Sequence, residues 1–267
     1  MTTTAEKRAA FHALHQSGCF TVPNPWDAGS AKYLQAMGFK ALASTSAGFA
    51  WSIGKPDTRV TLDEVLGHLK SLCAATDLPV NADFENGYAD DPEGVAANVR
   101  LAAATGVAGL SIEDTKDRVL YDHGLAVERI AAARAAIDAD KSGVLLVARC
   151  EAALVGGGDL DFIIKRLAAF VDAGADCLYA PGLAEKASIA EVVAAVAPKP
   201  VNVLLGFGDL TVADLAALGV RRVSVGGALA RMAWSGFASA AKELAEAGVI
   251  TPPADAVGGG ALNKLFG

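Results

Sequence analysis

Eight times along this chain, a short run of β-branched or apolar residues is followed by an alanine-rich stretch of helical character. The strand-like runs lie near 20–23, 40–45, 79–84, 108–112, 143–149, 176–180, 200–205 and 221–225. The helical stretches lie near 27–37, 61–75, 92–105, 125–139, 159–173, 185–196, 211–218 and 229–247. Eight consecutive strand–helix units predict an α/β fold, a (β/α)8 TIM barrel with parallel strands. The rival, an open doubly wound sheet, normally places a glycine-rich phosphate loop after its first strand. Here that position reads Pro23-Asn24-Pro25-Trp26-Asp27-Ala28 and contains no glycine.

Helix boundaries agree with this pattern. Thr61 precedes Leu62-Asp63-Glu64, a cap followed by acids in the first turn, and Asp91-Pro92-Glu93 puts proline at the first helical position. Met37-Gly38, Thr105-Gly106, Ala173-Gly174 and Leu218-Gly219 close helices before strands. A leading helix is expected near 4–17, ending at Gly18. The tail 251–267, with Pro252-Pro253 and Gly258-Gly259-Gly260, reads as an irregular or partner-docked extension. No linker divides residues 1–267, so a single domain is expected.

Hydrophobic residues make up 52% of the chain and charged residues 20%, enough apolar material for one large core. The net charge of −7, without a long basic cluster, argues against nucleic acid and anionic membrane as partners. Cys19, Cys73, Cys150 and Cys177 form no C-x-x-C pair, so neither a zinc site nor a redox motif is indicated. Free cysteines, no signal-peptide core and no membrane-length apolar stretch lead us to expect a cytoplasmic protein.

A barrel places its chemistry at the C-terminal ends of its strands. The third strand runs into Val80-Asn81-Ala82-Asp83-Phe84-Glu85-Asn86-Gly87-Tyr88. Asp83 and Glu85 share a face at i, i+2, and a glycine turn follows at once. Paired carboxylates there suit a hard cation with oxygen ligands, such as Mg2+. The second strand ends in the small polar turn Ser44-Thr45-Ser46-Ala47-Gly48, whose amides suit a carboxylate, with Lys55 and Asp57 just beyond. The fourth ends in Ser111-Ile112-Glu113-Asp114, the fifth in Ala148-Arg149-Cys150-Glu151, and the seventh carries Asn202. Acids from adjacent strands and one arginine would meet at the barrel mouth. The arginine fork suits a substrate carboxylate, and a metal would stabilise charge developing on a carbonyl or enolate oxygen. A small 2-oxo acid reacting through an enolate fits this set.

These residues carry a family resemblance. The chain resembles the isocitrate lyase / phosphoenolpyruvate phosphonomutase superfamily in Asn24-Pro25-Trp26-Asp27-Ala28-Gly29-Ser30, the Ser44-to-Gly48 turn, Asp57, Asn81 to Tyr88, Gly109 to Asp114, and Ala148-Arg149. The resemblance implies a (β/α)8 barrel, Mg2+ (with Mn2+ as the alternative ion) and substrates related to pyruvate. By position it makes Asp83 the direct metal ligand, and Asp57, Glu85 and Glu113 acids that hold metal-bound water. Ser46, Ala47 and Gly48, at the end of the turn that Ser44 begins, become the carboxylate and oxyanion cradle. Arg149 becomes the substrate clamp and Asn202 a lining residue. The family also tends to swap its eighth helix between subunits, which would make 229–247 an interface helix in a homodimer or homotetramer.

The sequence departs from that pattern after the fourth strand. Isocitrate and methylisocitrate lyases carry a Lys-Lys/Arg-Cys-Gly-His loop whose cysteine acts as an acid/base. Residues 115–124 here read Thr-Lys-Asp-Arg-Val-Leu-Tyr-Asp-His-Gly, with no cysteine, and also lack the Asn-Ser pair of the phosphonomutases. His123 in this candidate gating loop is an alternative acid or base. The reading that follows is a Mg2+-dependent lyase making or breaking a C–C bond of a small 2-oxo or 2-hydroxy carboxylate, by oxaloacetate-type decarboxylation or retro-aldol cleavage. Two alternatives stay open: P–C bond chemistry on phosphoenolpyruvate or phosphonopyruvate, and binding of a 2-oxo acid without turnover.

Overall fold

A computed structural model describes residues 2–267. Helix α1 (Thr4–Leu14) leads into β1 (Phe20–Val22), α2 (Ala28–Ala36), β2 (Leu42–Ala43), α3 (Ser46–Ser52), α4 (Leu62–Ala75), β3 (Val80–Asp83) and α5 (Pro92–Ala104). Next come β4 (Gly109–Glu113), a small hairpin of β5 (Thr115–Lys116) and β6 (Val119–Leu120), α6 (His123–Ala139), β7 (Leu145–Arg149), α7 (Ala152–Val155) and α8 (Leu160–Asp172). The chain finishes with β8 (Cys177–Tyr179), α9 (Lys186–Ala195), β9 (Val201–Leu204), α10 (Val212–Ala217), β10 (Arg222–Ser224), α11 (Ala228–Ala247) and α12 (Gly259–Phe266).

Among the described residues, eight parallel strands pair in the order β1-β10-β9-β8-β7-β4-β3-β2. The seam between β1 and β2 is bridged by the Ala43 amide donating to the Pro23 carbonyl at 3.1 Å. Asn24 reinforces it. Its Nδ2 donates to the Ser44 carbonyl at 2.8 Å, and its Oδ1 accepts the Val225 and Gly226 amides at 2.9 Å each. One buried amide thus ties β1 to strands on both sides, and the sheet closes into the expected (β/α)8 barrel.

The caps of α4 and α5 are those read from the sequence. Thr61 and Glu64 form a reciprocal capping box, and Asp91 caps α5 with Pro92 in its first turn. Asp27 and Ser30 cap α2 in the same way.

Strand alternation separates two cores. Leu110, Ile112, Leu146 and Leu178 face the surrounding helices, whereas Ala43, Leu145, Val147, Cys177 and Tyr179 fill the barrel. Phe11 of α1 joins the inner cluster and plugs the bottom of the barrel. Gly109 makes room for it: a Cβ there would lie 2.7 Å from the Phe11 ring and 2.8 Å from Asn81 Oδ1.

Several local features differ from expectation. The first helix stops at Leu14, and the second strand shrinks to two residues. The predicted irregular tail is partly helical: α12 packs on α2, and Phe266 sits 3.8 Å from where a Gly29 Cβ would be. Helix α11 matches the predicted eighth helix, yet only Ala230 is buried, and Leu229, Met232, Trp234, Phe237 and Leu244 are exposed. No described helix is long and apolar enough to cross a membrane.

The packing at Gly109 gives a prediction. Gly109→Ala should lower stability by about 1–3 kcal/mol through overpacking, read as a fall in melting temperature. Phe11→Leu in the same chain should recover part of that loss, because it removes the ring the new methyl strikes.

Candidate active site

A cavity of about 390 Å3 opens at the C-terminal ends of β2, β3, β4 and β7. Asp83, Glu85, Glu113, Arg149 and Glu151 line it, with Asp57 at its exposed rim. Their convergence follows from register. Glu113 of β4 lies beside Arg149 of β7, and Asp83 of β3 beside Ser111 of β4. With period-two alternation, all three side chains face the barrel axis.

Arg149 organises the floor. Its Nη1 lies 2.8 Å from Asp83 Oδ1 and 3.0 Å from Glu113 Oε1, while Nε and Nη2 each lie 2.9 Å from Glu151 Oε1. The guanidinium also sits over the Tyr179 ring, 5.0 Å from its centroid. Burial alone would lower its pKa, but Glu113, Glu151 and Asp83 raise it well above the usual value, so the charge is fixed. The other carboxyl oxygen of Asp83 accepts both the amide and the hydroxyl of Ser46, at 2.9 Å each.

Beneath this floor runs a second ion pair. Asp114 Oδ2 pairs with Arg166, both nearly fully buried, and Asp114 Oδ1 accepts the Glu151 amide at 2.8 Å. That pair fixes the backbone that presents Glu151 to Arg149.

The acids around Arg149 outnumber it. Burial, then the Asp83 charge, raises Glu85 to about 7. Burial raises Glu113 as well, against the opposing pull of Arg149. Asp57 is raised by desolvation and by Asp83. Glu85 is held at φ 44° and Tyr88 at φ 55°, left-handed conformations that cost non-glycine residues energy and recur at functional sites. They bring the Tyr88 hydroxyl back to donate to Glu85 Oε1 at 3.1 Å.

An all-oxygen, under-neutralised donor set of this kind fits a hard divalent cation. Among the described residues, no three Asp, Glu, His or Cys side chains are arranged to hold an ion by themselves. Asp83, at the centre of the set, is engaged through both oxygens, Oδ1 with Arg149 and Oδ2 with Ser46.

Other sequence-based expectations change. Ser44 does not reach the cavity: it is buried, and its hydroxyl accepts the Asp83 amide at 2.8 Å. Gly48 is buried too, and its amide donates to Thr45 Oγ1 at 3.2 Å to cap α3. Of the cradle residues, Ser46 lines the cavity, and Ala47 lies in the first turn of α3, where amides lack intrahelical acceptors. Asn202 lies inside the barrel, accepting from Arg222 Nε at 2.8 Å and donating to Ser224 Oγ at 3.0 Å. It is part of the interior packing rather than the cavity wall.

His123 is also displaced from the site. The 115–124 stretch is not an open loop. Asp117 (φ 48°) and Arg118 (φ 64°) turn the chain tightly between β5 and β6. The Tyr121 amide then donates to the Asp114 carbonyl at 2.9 Å, and Asp122 caps α6, which leaves His123 exposed at the helix start. Cys150, next to Arg149, is fully buried, and burial pushes its thiol above the ordinary range.

Sequence reasoning missed three cavity residues on the rim, Arg59, Lys116 and Arg118, and the wall contributed by Tyr88.

Comparison with known proteins adds the following. Residues 11–245 match the family model described as phosphoenolpyruvate phosphomutase. An uncharacterised protein of Mycobacterium tuberculosis is 37% identical over 219 residues, 81% of each chain. Oxaloacetate decarboxylase of Pseudomonas aeruginosa is 32% identical over 230 residues, 82% of this chain and 78% of that protein. A crystal structure of a Burkholderia cenocepacia protein, provisionally described as a lyase/mutase, superposes with a TM-score of 0.95 at 50% identity, covering 98% of this chain and 97% of the other.

The raised Glu85 gives a pH prediction with a defined sign. Its folded pKa of about 7 exceeds the unfolded value, so its contribution to stability is complete below about 4.5 and is lost as pH rises through 7. In chelator, stability should fall between pH 5 and 8 by up to about 3 kcal/mol from this group. Glu85→Gln should flatten that slope, and excess magnesium should offset it in the wild type, both measured by thermal melts across pH.

Proposed function

This chain belongs to the isocitrate lyase / phosphoenolpyruvate phosphomutase superfamily of lyases and mutases, and we propose that it makes or breaks a C–C bond of a small 2-oxo or 2-hydroxy carboxylate in a divalent-cation-dependent reaction. Oxaloacetate-type decarboxylation or retro-aldol cleavage fits best. The observation that carries this reading is the nest of carboxylates around Arg149 at the mouth of the barrel.

Asp83 would hold the cation, with Asp57, Glu85 and Glu113 holding its water shell. Bound Mg2+ or Mn2+ supplies positive charge where an oxyanion develops. The chain's own groups prepare the site for it. Arg149 keeps the carboxylate of Asp83 oriented, and the two Ser46 donors fix its rotation. Glu113 is held by the same guanidinium, so the two acids cannot drift apart. The remaining Arg149 edge faces Glu151, which rests on the buried Asp114–Arg166 pair.

The absence of a loop cysteine narrows the chemistry. Residues 115–124 supply no thiol, and buried Cys150 stays protonated. Loss of carbon dioxide from a carboxylate β to a carbonyl needs no protein base to break the bond, because the electron pair passes into the enolate. A reaction of that kind is the one this site is equipped for. The family model's own description keeps a second reading alive, P–C bond chemistry on phosphonopyruvate or phosphoenolpyruvate.

We also infer that α11 mediates assembly into a homodimer or homotetramer. It exposes Met232, Trp234 and Phe237 on a helix with one buried residue, more apolar surface than a lone helix leaves in water.

Asp83→Ala should reduce magnesium-dependent pyruvate formation from oxaloacetate by a factor on the order of 10^2–10^3, measured above the metal-catalysed background. Retained turnover refutes the assignment of Asp83. Phosphonate or phosphate release followed by 31P NMR decides between C–C and P–C chemistry. Trp234→Glu with Phe237→Glu should shift the protein to monomer in light scattering; an unchanged mass rules out this helix as the interface.

A further inference from the structure

The charge of the cavity is divided between floor and rim. The floor gathers acids around Arg149, whose five N–H donors are mostly spent on Asp83, Glu113 and Glu151. Little of that fork remains to grip a substrate at two points. The rim instead carries three cations, Arg59, Lys116 and Arg118.

Two of the three are engaged. Lys116 pairs with Asp90, and Arg59 lies 3.8 Å from Asp117. Arg118 differs. Among the described residues it makes no ion pair, and its one hydrogen bond runs from Nη2 to the Leu154 carbonyl at 3.1 Å. That bond steadies the guanidinium without neutralising it. Asp117, its neighbour in the turn and the nearest acid in sequence, is turned to Arg59 instead.

A mono-carboxylate would need only the floor. An uncompensated, steadied guanidinium at the other end of the same cavity matches a second anionic group, and its planar fork matches a carboxylate best. We propose that Arg118 determines specificity, receiving the distal carboxylate of a 2-oxo or 2-hydroxy dicarboxylate whose reacting end lies over the acidic floor. This deepens the lyase reading and rests on it.

The test compares malate with 2-hydroxybutanoate, which differ in ending in a carboxylate or a methyl group, by calorimetric titration in magnesium buffer. Wild type should bind malate about tenfold or more tightly, the value of one charge-assisted contact. Arg118→Gln should abolish that preference while leaving 2-hydroxybutanoate affinity and melting temperature unchanged, and Arg118→Lys should restore part of it. If both acids bind with no preference in wild type, or the preference survives in Arg118→Gln, Arg118 is not the determinant, and the lyase reading stands. If wild type binds neither acid, nor pyruvate, both inferences fall.

Discussion

One guanidinium sets the terms for this active site. Arg149 lies among Asp83, Glu113 and Glu151, at distances of 2.8–3.0 Å, in a partly buried place where charges are costly to leave unpaired. Without it, acids from strands β3, β4 and the turn after β7 would repel one another and shed their charge by taking up protons. With it they stay together, yet one arginine cannot neutralise them all, as the raised Glu85 and Asp57 record. The residual negative charge is the property that calls for a cation. The same contact therefore stabilises the fold at this end of the barrel and leaves the site prepared for a hard metal ion.

The barrel supplies what Arg149 needs. Its Glu151 partner rests on the Asp114–Arg166 pair buried below, and its Asp83 partner is fixed by Ser46 at the start of α3 and by the Ser44 hydroxyl at its own amide. The charged layer sits above a packed one: Leu145, Val147, Cys177 and Tyr179 share the barrel interior with the hydrogen-bonded Arg222, Asn202 and Asn81, and Phe11 closes the far end. Screening by water is confined to one side, so electrostatic interactions at the mouth are stronger than the same pairs would be on an open surface.

Much of this was legible in the chain. The eight strand–helix units and the capping residues Thr61 and Asp91 all appear in the structure because each is a local signal, complete within a few residues. Strand alternation likewise predicted that Asp83, Glu113 and Arg149 would share a face. The errors fall where the outcome depends on partners distant in sequence. Asn202 sits at a strand position that points inward, but pairing with Arg222 puts it in the interior. Ser44 and Gly48 belong to a polar turn whose donors and acceptors are used by Asp83 and Thr45. His123 was assigned to a loop because nothing local announces that Asp117 and Arg118 adopt left-handed conformations and fold the segment into a hairpin.

That hairpin differs in energy from everything beneath it. The floor pairs are buried or nearly so. The rim is joined by exposed contacts: Lys116 with Asp90, Arg59 with Asp117 at 3.8 Å, and Arg118 with a carbonyl. Exposed pairs of this kind are screened by water and contribute little beside the packing of Leu120 on the core and the Tyr121–Asp90 hydrogen bond. Two turn residues at positive φ cost some of that back. The rim pairs are thus weaker than those of the floor, where Arg149 and Arg166 hold buried or nearly buried acids.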